Sequence, residues 1–308
     1  MSLHMTDWQP TRRVVLGGLA ALPFAGGLAR AQDKPITRAI PSSGEALPVL
    51  GMGSWITFNV GEDTRLRDQR AEVLREFFAA GGKVIDCSPM YGSSAEVIGY
   101  GLEKLGRPAQ LFAAEKVWTW WTSEGPEQME EQRALWGVGR FDLMQVHNLL
   151  NVDEHLETLT RWKEEGRIRY LGITTSHGSR HDEMEAVMTR APLDFVQLTY
   201  NVLDREAEAR LLPLAADRGQ AVIVNRPFRQ KALIRHVEGH PLPDWAAEIG
   251  AATWAQFLLK FIVSHPAVTC AIPATSRVDH MAENMAVLTG PLPDADLRRR
   301  MVEAVENL

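Results

Sequence analysis

A (β/α)8 TIM barrel of the α/β class, with an N-terminal β-hairpin and a C-terminal helix, is what this 308-residue sequence predicts. Three observations point to it. Eight short apolar runs alternate with segments of helical spacing, the rhythm of repeated βα units rather than of an open sheet. Several runs end in polar groups: Asp86 after VI, Lys116 after LFAAE, His147 after DLMQV, and Thr174-Thr175-Ser176 after YLGI. In parallel barrels, chemistry sits at such C-terminal strand ends. No GxGxxG or GxxxxGK[ST] opens a helix after a strand, which removes the two commonest phosphate loops.

The elements follow in order. Pro35 to Pro48 holds Pro41-Ser42-Ser43-Gly44 between two β-like runs, a hairpin that plugs or flanks the barrel bottom. Val49 to Gly53 is the first strand, where Gly51 and Gly53 predict close backbone approach. Asp68 to Ala80 sets Val73, Leu74, Phe77 and Phe78 at helical spacing before Gly81-Gly82 stops it. Val84 to Asp86 is the second strand, and Ser93 to Leu105 is a helix with Ser93 or Ser94 as N-cap. Leu111–Glu115, Phe141–Val146, Arg169–Ile173, Phe195–Leu198, Ala221–Val224 and Val268–Ile272 are strands three to eight. Helices are predicted over Glu124–Trp136, Glu154–Glu165, His181–Thr189, Arg205–Arg218, Thr253–Ser264 and Arg277–Leu288, and Asp294–Glu306 closes the chain. Asn225 to Gly250, with Pro227, Pro241 and Pro243, breaks the rhythm and reads as an insert suited to a substrate lid.

Composition narrows the class. Apolar content of 45% and charged content of 23% are ordinary for a soluble globular chain, and the net charge of −6 is mild. There is no basic stripe, zinc-finger spacing or RNP-like aromatic motif, which argues against nucleic acid as a partner. Cys87 and Cys270 read as two buried small hydrophobes, with a disulfide left open.

The N-terminal text is of another kind. Residues 1–5, MSLHM, read as a tag remnant. From Thr11 come a charged start, an apolar middle too short to span a bilayer comfortably, and Ala29-Arg30-Ala31 as a small-x-small site: a secretory signal cleaved after Ala31. Arg12-Arg13 before Val14-Val15-Leu16 resembles a twin-arginine signal. That implies the Tat export machinery as a transient partner, the periplasm as destination, and residues 32–308 as a single barrel domain without a stable membrane anchor.

Asp86, Tyr91, Lys116 and His147 would meet at one mouth. A buried ammonium needs a partner, and Asp86 on the neighbouring strand supplies it. The same ammonium favours phenolate, so Lys116 is expected to pull Tyr91 from an ordinary pKa of about 10 toward working pH, making it a general acid–base group. His147, one strand over, would donate a hydrogen bond to an oxygen held beside Tyr91 and polarise a carbonyl. No serine or cysteine has an evident base, and the strand-four histidine lacks a second ligand at metal spacing, so no metal is expected. A proton donor and a carbonyl polariser without an electron carrier imply a bound hydride cofactor. Trp55, Trp118 and Trp121 suit an aromatic substrate wall.

With the GxG of Gly51 and Gly53, the set Asp86, Tyr91, Lys116 and His147 resembles the catalytic tetrad of the aldo-keto reductases, and the resemblance runs from about Pro35 to Leu308. It implies NADPH-dependent reduction of an aldehyde or ketone, with Tyr91 as proton donor, Lys116 and Asp86 tuning it, His147 orienting the carbonyl, and NAD as the alternative to NADP. Gln197 to Glu206, QLTYNVLDRE, is similar to the segment whose glutamine meets the nicotinamide carboxamide. Ile272 to Asn284, IPATSRVDHMAEN, is similar to the adenosine-phosphate segment, which puts Thr275, Arg277, His280, Glu283 and Asn284 around the 2′-phosphate and adenine. The chain departs from the pattern at Thr174-Thr175, where serine-asparagine is usual, at Asn225-Arg226, where an aromatic commonly stacks on the nicotinamide, and at Ala274, where lysine is frequent. A second reading keeps barrel and nucleotide as a non-catalytic sensor, and a third is a lyase or isomerase using the same lysine and tyrosine.

Overall fold

The computed structural model describes residues 34–308. The leader and tag remnant expected over residues 1–31 lie outside the described residues. An antiparallel hairpin, β1 (Thr37–Ala39) with β2 (Ala46–Pro48), comes first. Eight parallel strands follow, each bonded to the next in chain order: β3 (Met52–Gly53), β4 (Val84–Asp86), β5 (Phe112–Val117), β6 (Phe141–His147), β7 (Ile168–Thr174), β8 (Phe195–Thr199), β9 (Ala221–Asn225) and β10 (Cys270–Ala271). The ring closes where Leu50 bridges Ala271, with Gly51 N donating to Ala271 O at 2.8 Å and Ala271 N to Val49 O at 3.0 Å. Around it run α1 (Thr64–Ala79), α2 (Ser94–Lys104), α3 (Gly125–Trp136), α4 (Val152–Glu164), α5 (His181–Arg190), α6 (Leu211–Asp217), α7 (Ala232–Val237), α8 (Trp254–Val263), α9 (Val278–Met285) and α10 (Ala295–Glu306). No helix among the described residues is long and apolar enough to cross a membrane.

Alternate strand residues face the barrel axis. The lower interior is one apolar cluster, Val84, Phe112, Leu143, Tyr170, Phe195 and Ile223 among it, and Ile40 and Leu47 of the hairpin region pack into the same cluster. The hairpin therefore plugs the bottom. Polar contacts hold it there: the Tyr170 hydroxyl lies 2.8 Å from both Ser43 Oγ and Glu45 Oε2, and Arg169 pairs with Glu45 and, at 2.7 Å, with Asp142. Cys270 belongs to this inner cluster and Cys87 to the outer one, so the two thiols face opposite sides of the wall, and both are free.

Several boundaries differ from the sequence expectation, each for a local reason. α1 starts at Thr64, not Asp68, because Asp63 caps it, its Oδ1 accepting from Leu66 N at 3.0 Å. Ser93 precedes α2 without capping it; its hydroxyl instead accepts from Gly61 N at 2.8 Å. The helix expected over Arg205–Arg218 is split into a 3-10 turn, Glu206–Glu208, and α6, whose first turn holds Pro213, the part of a helix where proline fits. The Asn225–Gly250 insert is mostly not a lid. It contains α7, with Leu233 and Val237 buried, and a turn whose Trp245 ring packs 5.5 Å from that of Phe257. Its start, Asn225 to Phe228 with Gln230 and Lys231, is the part that lines the cavity at the barrel mouth.

The two strand-one glycines sit where no side chain fits. A Cβ on Gly51 would lie 2.8 Å from Val84 O and 3.1 Å from Cys270 Sγ, and one on Gly53 3.0 Å from Ile272 O. Gly51→Ala is expected to destabilise the fold by about 1–3 kcal/mol, as overpacking of a closed interior does. Chemical denaturation at fixed m-value measures it; an unchanged midpoint would show that the barrel seam gives way freely.

Candidate active site

Strand alternation places the polar groups above the apolar plug. Gly53 stands opposite Asp86, Lys116 opposite Gln145, His147 opposite Thr174, and Thr174 opposite Gln197. Lys116 is wholly buried and Asp86 nearly so; Nζ donates to Asp86 Oδ2 at 2.6 Å and also to Cys87 O. Burial opposes the charge of Lys116, but Asp86, with Tyr91 and Glu115, holds its pKa above the ordinary lysine value. Its ammonium sits 5.3 Å from the centre of the Tyr91 ring.

Tyr91 lies half-buried on the turn between β4 and α2. Burial pushes its pKa up to about 12, with Lys116 pulling the other way, so the phenol is protonated at neutral pH. The expectation that Lys116 draws Tyr91 toward working pH is corrected here: desolvation of the phenolate outweighs the ammonium. His147 is driven down to about 2, first by burial and then by Lys116, and is a neutral imidazole. Its ring stands perpendicular to that of Tyr91 with centres 6.0 Å apart. Ser88 Oγ lies 2.6 Å from His147 Nδ1 and accepts from Met90 N at 3.4 Å. A serine proton directed to Nδ1 would leave the imidazole proton on Nε2.

An amide relay fills the layer beside the ion pair. Gln197 Nε2 donates to Asp86 Oδ1 at 2.8 Å and to Gln145 Oε1 at 3.4 Å, and Gln145 Nε2 donates to the same Asp86 oxygen at 3.3 Å. Gln197 Oε1 accepts from Thr174 Oγ1 at 3.1 Å and from Asn225 Nδ2 at 3.3 Å, and Asn225 also reaches Thr175 O at 2.8 Å. Sequence reasoning missed Ser88, Gln145 and Glu115. Gln145 was findable, since it lies two residues before His147 and so faces inward with it. Glu115 faces outward, accepts from Lys116 N at 2.9 Å and from Trp136 Nε1 at 3.0 Å, and is pushed by burial to about 8.

A cavity of about 430 Å³ opens above these groups. Asp86, Tyr91, His147, Thr174, Gln197, Asn225 and Arg226 line it, together with Trp55, Ile56, Met90 and Phe228. Three cations, Arg70, Arg226 and Lys231, are among the lining residues, against one carboxylate, Asp86, already held by Lys116. Trp118 and Trp121 are not among them; the Gln128 amide clasps Trp118 N at 2.7 Å and Trp118 O at 2.9 Å, holding that loop to α3. Thr175, Thr275, Arg277, His280, Glu283 and Asn284 also lie off the lining, while Ala274 and Ser276 of the same segment are on it. Arg277 is exposed and paired with Asp279, Nε to Oδ1 at 2.9 Å, and Thr275 Oγ1 accepts from Arg277 N at 3.1 Å. The loops at the mouth hold unusual backbone: Ile56 at φ 63°, Asn148 at 52°, Arg226 at 50°, Gln230 at 56° and Lys231 at 74°. Left-handed non-glycine residues cost about 1–3 kcal/mol each and gather at ligand sites.

Glu115 gives a stability signature. Its folded pKa lies above that of an ordinary carboxylate, so its contribution is fully present below the ordinary carboxylate range and is lost as pH rises through about 8. Relative to Glu115→Gln, the wild-type melting temperature is expected to fall across that window. A constant gap between the two curves would show that Glu115 titrates normally.

Comparison with known proteins agrees with this geometry. The family model for the aldo/keto reductase family matches residues 49–301. Among curated relatives, methylglyoxal reductase YeaE of Escherichia coli K12 is 26% identical over 84% of this chain and 92% of its own length, and the NADH-specific methylglyoxal reductase of the same organism is 24% identical over 83% and 95%. Among solved structures, the Klebsiella pneumoniae aldo-keto reductase in complex with NADPH superposes with a TM-score of 0.74 at 23% identity, covering 89% of this chain and 95% of that one, a likeness of fold. Matched across nearly the whole barrel, the chain belongs to the aldo/keto reductase family.

Proposed function

We propose that this chain reduces a small aldehyde or ketone to the alcohol with a nicotinamide dinucleotide, NADPH first and NADH as the alternative. The observation that carries the reading is a protonated Tyr91 and a neutral His147 lining one cavity, with Lys116 and Asp86 behind them. The residues fit the cofactor: the cavity carries three cations, and left-handed Lys231 followed by right-handed Ala232 is the alternation of hand that turns successive N–H groups into an anion cradle. When bound, the dinucleotide supplies the hydride. Tyr91 gives its proton to the carbonyl oxygen, and Lys116 stabilises the phenolate left behind. His147 donates from Nε2 to the same oxygen and fixes its orientation. Asp86 keeps Lys116 charged within the barrel, and Gln197, tied to Asp86 and lining the cavity, would meet the nicotinamide. Thr174, Asn225 and Arg226, which line the same cavity, would join it, while Thr275, Arg277, His280, Glu283 and Asn284 would serve the adenosine end.

The names of the two E. coli relatives favour a small 2-oxoaldehyde as substrate, and Trp55, Ile56, Met90 and Phe228 supply an apolar wall for it. Tyr91→Phe is expected to lower kcat on methylglyoxal by about 10²–10⁴ while leaving dinucleotide affinity intact. Turnover at the wild-type rate would remove Tyr91 from the mechanism. A wild-type chain that binds dinucleotide yet reduces nothing in a broad carbonyl panel would be a sensor instead.

Export completes the reading. A twin-arginine route passes folded, cofactor-loaded proteins, which accounts for a nicotinamide enzyme outside the cytoplasm, and Arg12-Arg13 with Ala29-Arg30-Ala31 supports it. N-terminal sequencing of the protein from a periplasmic fraction is expected to begin at Gln32. An intact leader on cytoplasmic protein alone would overturn this.

A further inference from the structure

Arg70 stands on α1, apart from the strand-end groups, and so far enters only as one of the three cations lining the cavity, with no role of its own. Only 8% of it is exposed, and burial alone accounts for the lowering of its pKa, with no carboxylate among the described residues close enough to oppose it. A buried guanidinium without an anion is costly, and proteins seldom keep one idle. Nε donates to Thr57 O at 2.5 Å and an Nη to Ser276 O at 3.3 Å, so the fork spans the loop after β3 and the loop after β10. Two of its N–H groups are thereby satisfied. The other donors have no protein acceptor among the described residues, and the side chain lines the cavity.

The surroundings fit an anion. Ala274 and Ser276, on the same wall, bring no charge. Arg277, next along the chain, is exposed and neutralised by Asp279. Arg226 is committed to Ser176 O at 2.6 Å. Arg70 is thus the buried cation of this cavity whose charge is unmet, and a planar fork matches two phosphate oxygens at once. We infer that Arg70 grips a phosphate of the dinucleotide, the diphosphate bridge or the 2′-phosphate, and anchors it at the Thr57 and Ser276 side of the mouth. The inference rests on the dinucleotide reading given above.

The test is equilibrium titration of the purified chain with NADPH and with NADH, following tryptophan emission, at low and at raised salt, beside unliganded melting curves. Arg70→Met is expected to weaken binding about tenfold or more and to flatten its salt dependence, and Arg70→Lys to recover part of the loss. Equal losses for both nucleotides assign the diphosphate; a loss confined to NADPH assigns the 2′-phosphate. If Arg70→Met melts early, Arg70→Gln carries the test, because its amide nitrogen falls at the Nε position, keeps a donor for Thr57 O and removes the charge; the same loss is expected. Unchanged affinity in a variant that melts as wild type does overturns the assignment of Arg70 alone. A wild-type chain that binds neither nucleotide overturns the dinucleotide reading and this inference together.

Discussion

The ion pair between Lys116 and Asp86 is the constraint on which the upper barrel depends. Two charges removed from water cost several kcal/mol each, and their attraction offsets this only with good geometry and satisfied remaining hydrogen-bonding sites. The barrel provides both. The second Asp86 oxygen takes amide donors from Gln145 and Gln197, and Lys116 uses a second donor on Cys87 O. Gln197 in turn needs Thr174 and Asn225, so polar side chains from β4 to β9 are fixed by one buried charge pair. The apolar plug beneath them excludes water from that side, which strengthens every charge interaction above it.

Much of this was legible in the sequence because parallel barrels write their chemistry at strand ends. Asp86, Lys116 and His147 each terminate an apolar run, and Tyr91 follows at a fixed offset within the next turn. The structure brings all four to one cavity or directly behind it. What stayed hidden needed three-dimensional neighbours. Ser88 acquires meaning only from the 2.6 Å approach of His147, on another strand. Gln145 sits inside a run that reads as apolar filler; its spacing from His147 puts it on the inner face, but its tie to the ion pair comes from its register opposite Lys116. The protonation of Tyr91 was misjudged because a sequence shows the nearby cation but not the depth of burial. Trp118 and Trp121 looked like substrate walls by proximity to Lys116, yet the Gln128 clasp decides where that loop goes.

The two ends of the barrel divide the labour. At the bottom, the hairpin and its ties through Tyr170, Arg169 and Glu45 close the interior with regular structure. At the top, Ile56, Asn148, Arg226, Gln230 and Lys231 hold left-handed backbone. Strain of that kind persists only where surrounding contacts dictate it, and here the contacts are those that shape a cavity mouth. Stability built at one end is spent on loop geometry at the other.

Glu115 has a consequence beyond its own titration. It neighbours Lys116 on β5 and faces outward, while Lys116 faces the axis toward Asp86. Because side chains alternate along a strand, a pairing error of one residue exchanges its two faces. Slipped by one, β5 would turn Glu115 inward to meet Asp86, leaving two carboxylates confronting each other in a closed interior and an ammonium stranded among the helices. The neighbouring Glu115 and Lys116 thus also help to specify the register of β5 against β4, since a one-residue slip carries an electrostatic cost that the native alignment avoids.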